Sequence, residues 1–388
     1  MGDEEGSKLR VQSKMRLAFI KKRFSIYGGA EKYLQTLIQQ LKNSNYEIHV
    51  FANQWSEEKG IAFHRVNIIP FTSFLSTLTF DRNSKVKIQK SKFDCVISFE
   101  RTTCQDIYRA GEGCHAEWLK IRSTAERYYK RLSFKINPLH IYMLKLEKEI
   151  FTNTKLIVAN SEMVKKQIID YYAVPKENIT VIYNGVDLKR FSPQNKEKWR
   201  KDVRDSLNIS EDTKVLLFVG SGFKRKGLKT FINAIASING HNLKALIIGK
   251  GNTDKYKAIA KKLGVLHHIM FLGIQKEIER FYASADLFVL PTLYDPFSNA
   301  TLEAMASGIP VITTKNNGAA ELIDNGCEGF VMHDMFDAHE LAEKINTSLK
   351  NLNAMGGKAR EKAEAFPIEV AAEKFVKAIE TTQLTKII

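Results

Sequence analysis

Along this chain, short apolar runs of strand length alternate with longer stretches whose apolar residues recur at helical spacing. Met15–Ile20 is the first such run, and Ile48–Phe51, Val66–Ile69, Cys95–Phe99, Leu156–Ala159 and Ile179–Ile182 follow. Between them, Tyr33, Leu34, Leu37 and Leu41 fall on one face of a helix predicted over about 30–42, and a second helix is predicted over 162–172. After a polar, charged segment, 189–212, the pattern restarts. Strands are predicted at Val215–Val219, Lys244–Ile248, Ile269–Leu272, Leu287–Leu290 and Val311–Thr313, with helices over 228–238, 254–263, 276–283 and 319–323 between or after them. Alternation in both halves predicts two α/β domains, each a doubly wound parallel sheet. A last helix, about 368–379, has no strand after it and could pack back across the junction. The expected division is a tail over 1–14, an N-terminal domain over 15–188, a C-terminal domain over 189–365, and a returning helix over 366–388.

The 388 residues suit two cores better than one. The scattered Cys95, Cys104, Cys114 and Cys327 contain no CxxC pair, so they read as reduced thiols, not a disulfide framework or a zinc site. No apolar run reaches 18 residues, which predicts a soluble, cytoplasmic protein. Of the net charge of +16, residues 1–190 carry +12, which points to an acidic partner of the N-terminal half. Lys120–Lys148 concentrates that charge: eight Lys/Arg stand among Tyr128, Tyr129, Phe134, Ile136 and Tyr142, against Glu126 and Glu147. Such a segment suits an anionic membrane surface, or an ordinary solvated helix face. No nucleic-acid module is visible.

Ligands of open α/β sheets bind at the carboxyl ends of the strands, so the loops there carry the candidate chemistry. Gly28–Gly29 follows the first strand, where backbone can approach a ligand closely, though the spaced third glycine of a dinucleotide fingerprint is absent. Gly220–Thr230 (GSGFKRKGLKT) nearly matches a phosphate loop, but Leu228 separates Gly227 from Lys229. What remains is a glycine-rich loop with Lys224, Arg225 and Lys226 ahead of a helix, an arrangement a resident anion would explain. Leu287–Val311 (LFVLPTLYDPFSNATLEAMASGIPV) reads as strand, tight loop and helix N-terminus, with Asp295 and Glu303 seven residues apart and Phe297–Asn299 at the helix start. His115 stands in a polar stretch beside Glu112 and Glu117. No HExxH, His/Cys cluster or GxSxG is present, so metal and serine-hydrolase chemistry have no support.

Taken in order, these motifs resemble glycosyltransferase family 4, the retaining enzymes of the GT-B fold. Asp295-x7-Glu303 is similar to its E-x7-E motif and runs into Glu303–Val311 (EAMASGIPV). Gly28–Gly29–Ala30–Glu31, Asn160–Ser161–Glu162, Asn184–Gly185–Val186–Asp187 and Lys226–Gly227 match further landmarks. GSxFxRKG and the basic insert resemble the lipopolysaccharide-core glucosyltransferases. The resemblance implies two Rossmann-like domains facing across a cleft. It also implies transfer of a hexose, from UDP-glucose in the first instance, to a lipopolysaccharide-core or lipid-linked acceptor at the cytoplasmic membrane face. GDP-mannose or ADP-heptose as donor, or a GT-B epimerase or phosphorylase, are the alternatives.

Carried over, Glu303 would bind ribose hydroxyls and Asp295 the transferred sugar. Arg225 and Lys226 would hold the diphosphate with backbone N–H groups of Phe297, Ser298 and Asn299, without a metal. Gly28 and Gly29 would approach from the other side, and His115 would face the acceptor. Asp295 is shorter than the family's Glu, Ser221 replaces a frequent Arg, Ser298 replaces a frequent Gly, and Tyr33 stands where close relatives carry an acid.

Overall fold

The computed structural model describes residues 14–23, 29–42, 46–55, 59–126, 134–238 and 242–387. The tail expected over 1–14 therefore lies almost wholly outside them, as does Gly28.

Seven strands form the N-terminal sheet: β1 (Met15–Ile20), β2 (Tyr46–Ala52), β3 (Ile61–Arg65), β4 (Cys95–Ser98), β5 (Ile107–Ala110), β6 (Leu156–Ala159) and β7 (Ile179–Val181). Their order is β3-β2-β1-β4-β5-β6-β7, all parallel. Six more form the second sheet: β8 (Lys214–Val219), β9 (Leu243–Ile248), β10 (Ile269–Gly273), β11 (Leu287–Leu290), β12 (Val311–Thr314) and β13 (Gly329–Met332). Their order is β10-β9-β8-β11-β12-β13, again all parallel. β1, β8 and β11 carry wholly buried Leu, Phe and Val side chains on both faces, as a sheet covered by helices on both sides requires. In each sheet the order reverses at one place, between β1 and β4 and between β8 and β11. Crevices open there, beyond the strands' carboxyl ends.

The apolar pattern misplaces or misses several elements. Val66–Ile69 is a connection, and the edge strand lies earlier at β3, whose side chains are largely exposed. β5 (IYRA) carries a buried Arg109, whose guanidinium sits over the Tyr33 ring at 4.2 Å. The polar segment 189–212 contains the helix Asn195–Ser206. It docks through Arg204, wholly buried, which donates to the carbonyls of Ser284 (3.1 Å), Ser210 (3.0 Å) and Thr213 (3.0 Å) and to Asp286 (2.8 Å). A fully satisfied guanidinium can occupy a core position that hydropathy assigns to solvent.

The last helix runs Ile368–Ile387 and lies on the N-terminal domain. Its Phe375 ring stands 6.3 Å from Tyr33 and 5.7 Å from Phe99, and the Tyr33 hydroxyl donates to the Ala371 carbonyl at 3.2 Å. The chain crosses between domains twice, side by side: Val186 N–H donates to Phe366 O (2.9 Å), and Ile368 N–H to Val186 O (3.0 Å). Gly185 makes the crossing possible, because a Cβ there would lie 2.3 Å from the Ile368 Cα.

Candidate active site

β8 ends at Val219, and the chain turns through Gly220–Gly227 before the helix Leu228–Ile235. Gly227 has φ +77°, and a Cβ on it would fall 1.8 Å from the Pro291 carbonyl oxygen in the loop after β11. That close approach lets the Arg225 carbonyl accept from Leu293 N–H (2.8 Å) and from the Thr292 hydroxyl (3.0 Å). The loops that follow the two strands of the crevice are thus one hydrogen-bonded unit. It brings the Lys226 ammonium into an ion pair with Asp295, both side chains about nine-tenths buried. Arg225 Nη1 lies 4.0 Å from the same carboxylate oxygen and donates to the Tyr294 carbonyl at 2.9 Å. Lys224 does not join this cluster: it pairs with Glu126 of the N-terminal domain. Of the three cations expected to share one anion, two converge and the third bridges the domains. The Ser221 hydroxyl is turned to another loop, accepting from Lys250 N–H at 3.1 Å.

Asn317, absent from the sequence reading, shapes the Asp295 loop. Its amide oxygen accepts from Ser298 N–H (3.0 Å) and Ala319 N–H (3.1 Å), and its nitrogen donates to Thr301 (3.2 Å) and Thr313 (2.9 Å) hydroxyls. The Ser298 side chain caps the helix Asn299–Ala306 by accepting from Thr301 N–H at 3.3 Å. The expectation that Ser298 N–H is offered to a ligand is corrected: Asn317 takes it. Phe297 is buried, its ring 5.9 Å from Tyr183, and Asn299 Oδ1 accepts from Asn184 across the domain junction at 2.6 Å. Glu303, on the helix, accepts from the hydroxyl of wholly buried Tyr282 at 3.0 Å, which orients its carboxylate.

The N-terminal domain supplies the facing wall. A cavity of about 360 Å³ is lined by Arg101, Glu112, His115 and Trp118 on one side and Arg225, Tyr294 and Asp295 on the other. His115 opens the helix His115–Ala125, whose Cys114 cap residue makes no side-chain bond. Glu147 caps it instead, accepting from the N–H groups of His115 (2.6 Å) and Ala116 (3.3 Å), from Arg101 (3.1 Å) and from the Tyr172 hydroxyl (2.6 Å). The His115 ring shares a hydrogen bond with His140 at 3.0 Å, and burial lowers its pKa to about 3, so it is neutral at physiological pH. His115 can therefore exchange a hydrogen bond here but brings no cation.

Three contacts close the cleft beside this cavity. The Tyr294 hydroxyl accepts from Cys114 N–H (3.0 Å) and donates to Gln167 (2.8 Å), and Gly113, with φ +65°, leaves room for it. Ser161 donates to the Pro296 carbonyl at 2.9 Å. Glu321, from the C-terminal domain, accepts from the N–H groups of Glu162 (2.9 Å) and Met163 (2.6 Å), capping a helix of the other domain. Asn160–Ser161–Glu162 is therefore a domain-contact motif. Gly29 begins the helix Gly29–Lys42, and Gly28 lies outside the described residues. Of Lys120–Lys148, residues 127–133 also lie outside. Among the described residues, no group of three or more His, Cys, Asp or Glu is placed to hold a metal ion, and no helix is long and apolar enough to cross a membrane.

Sequence and structure comparisons agree with this geometry. The family described as Glycosyltransferase Family 4 matches residues 27–190, and Glycosyl transferases group 1 matches residues 200–365. The chain is 25% identical over 350 residues to the lipopolysaccharide glucosyltransferase WaaG of Escherichia coli, spanning 86% of this chain and 90% of that one. An uncharacterized glycosyltransferase of Methanocaldococcus jannaschii, MJ1607, is 32% identical over 177 residues, 45% of each chain. The crystal structure of WaaG superposes with a TM-score of 0.82 at 23% identity, covering 94% of this chain and 99% of that one. Anabaena HepE, solved in complex with UDP-glucose, gives 0.71 at 19% identity, covering 95% of this chain and 100% of that one. Two consecutive family matches, a paired-sheet architecture and a cationic crevice between the sheets lead to one conclusion: the chain belongs to glycosyltransferase family 4, as a nucleotide-sugar-dependent GT-B enzyme related to the lipopolysaccharide-core glucosyltransferases.

Proposed function

We propose that the enzyme transfers a hexose, with retention of configuration, from UDP-glucose to a lipopolysaccharide-core or lipid-linked acceptor at the cytoplasmic membrane face. The observation that carries this reading is the meeting of Arg225, Lys226 and Asp295 in the β8/β11 crevice, opposite Arg101 and His115. In this reading Lys226 exchanges Asp295 for the donor diphosphate, and Arg225 joins it. Two fixed cations in a half-closed site then stabilise the charge that builds on the leaving diphosphate, so no divalent metal is required. Asp295, released from Lys226, accepts from hydroxyls of the sugar, and Glu303 accepts from the ribose hydroxyls. His115, uncharged, is proposed to contact the acceptor. The complex of HepE with UDP-glucose and the glucosyl specificity in the name of WaaG support the donor.

Peripheral membrane binding is proposed through the described part of Lys120–Lys148. Ile136 is 77% exposed and Ile141 53%, next to exposed Lys135, Lys145 and Lys148. Exposed apolar side chains among lysines suit an anionic lipid surface.

The test is a donor screen: UDP-glucose, GDP-mannose and ADP-heptose are each incubated with the protein and a lipid-extracted acceptor, and nucleotide release is followed. UDP-glucose is expected to turn over fastest. Turnover unchanged in Lys226→Ala and Glu303→Ala would remove the site assignment.

A further inference from the structure

The second crevice, where the N-terminal sheet reverses between β1 and β4, holds a cavity whose lining includes none of the residues assigned to the donor. The cavity, of about 370 Å³, is lined by Lys21, Lys22 and Arg23 directly after β1, by Glu100 just after β4, and by Thr72 and Ser73. Three cations against one carboxylate leave the lining net positive. Lys21 pairs with Glu100 at 3.2 Å, and the Lys22 backbone N–H donates to the same carboxylate at 3.2 Å, so the one lining carboxylate is already committed. Burial, with Arg23 adding to it, holds the Lys22 ammonium below the usual lysine range, and Glu100 offsets only part of this. Thr72 caps the 17-residue helix Ser73–Gln89, whose first turn carries no acidic side chain. That helix end carries no acidic side chain of its own to meet its dipole. Lys21 is accounted for by Glu100, but Lys22, half-buried, and exposed Arg23 beside it have no recorded carboxylate partner among the described residues.

We infer that this cavity, the crevice between β1 and β4 lined by Lys21, Lys22 and Arg23, is an anion subsite that holds a phosphate monoester carried by the acceptor. The inference rests on assigning the donor to the C-terminal crevice, which leaves the N-terminal one for the acceptor. It adds an acceptor class: a phosphorylated glycan, gripped at a point separate from the hydroxyl that is glycosylated. Lys22 and Arg23 supply the charge-assisted contacts, the hydroxyls of Thr72 and Ser73 stand at the rim, and Glu100 sets the strength by opposing the anion.

Calorimetric titration of glucose 6-phosphate into UDP-saturated protein tests this, with saturation keeping the probe out of the Lys226 site. Lys22→Gln and Arg23→Gln should each weaken binding about tenfold, a single charge-assisted bond's worth, while Glu100→Gln tightens it. A merely structural role would weaken binding in all three. Unchanged affinity in both cation variants, at unchanged thermal midpoint, overturns the subsite. A parallel sedimentation assay with phosphatidylglycerol vesicles separates the sources. If the cation variants lose vesicle binding but keep glucose 6-phosphate, the cavity reads lipid headgroups and the acceptor assignment falls. UDP affinity, measured in the same variants, should not move; its absence in wild-type protein would count against the donor reading and leave the comparison of wild type with Lys22→Gln intact.

Discussion

Lys226 and Asp295 form an ion pair with both side chains about nine-tenths buried, at the place where a donor's diphosphate and sugar are proposed to meet. A buried pair is costly to break from one side, because the partner is left as an uncompensated charge. Lys226→Met or Asp295→Asn alone should lower unfolding stability by about 3 kcal/mol in urea titrations, and the double substitution by less than the sum. UDP should stabilise the wild-type protein by about 2.7 kcal/mol at a hundred times its dissociation constant and Lys226→Met by far less at the same concentration.

Gly227 is the hinge of the two-loop unit. Gly227→Ala places a Cβ against the Pro291 carbonyl at a φ that L-residues disfavour. The expected outcome is a loss of about 2 kcal/mol or more in stability together with a raised donor KM, since Arg225 and Lys226 lose their common anchor. Gly264→Ala, also at positive φ but with open space around its Cβ, should cost about 1 kcal/mol and leave KM unchanged.

The His115 ring is partly buried and neutral, with its pKa lowered to about 3 from the ordinary 6.5. The unfolded chain therefore binds a proton more readily than the native one between those values. The stability from keeping the ring uncharged is present in full above pH 6.5 and is lost as pH falls, by at most about 1.4 kcal/mol per pH unit. The thermal midpoint of wild type should drop more steeply than that of His115→Gln from pH 7 to pH 5. Equal slopes would mean that the ring stays solvated.

If Arg225 and Lys226 alone meet the diphosphate charge, transfer measured after EDTA treatment and gel filtration should match the untreated rate. A rate restored only by added magnesium would show that a metal shares that task.

Binding to anionic vesicles should fall by about 1 kcal/mol for each of Lys135→Gln, Lys145→Gln and Lys148→Gln and weaken with added salt. Flotation with phosphatidylserine-containing liposomes reads this directly, and neutral liposomes should bind weakly in every case.

The strands of both sheet centres are legible from the chain because each is a bare apolar run. Leu287–Leu290 and Lys214–Val219 could hardly be anything else once helices flank them. Two elements that escape notice are held by polar groups. β5 buries Arg109, and the helix Asn195–Ser206 docks by Arg204, so hydropathy scores both as surface. The crevice residues were likewise visible as motifs on separate loops. What no local pattern could give is their wiring. Asn317 takes the N–H of Ser298, Glu147 caps the His115 helix from a helix more than twenty residues on, and Glu321 caps a helix of the other domain. Each partner is set by tertiary contact, and the sole hint was the turn-forming Asn316–Asn317–Gly318.

The return of the last helix bears on how the protein is made. Ile368, Phe375 and Ile379 belong to the same buried cluster as Leu17, Phe19 and Leu34. A ribosome delivers those three residues only after the whole of the second domain. The first domain to be synthesised therefore waits with part of its apolar face uncovered while the second domain, self-contained in its own cluster, can close ahead of it. A chain stopped at residue 366 would therefore leave the second cluster complete and the first without Ile368, Phe375 and Ile379.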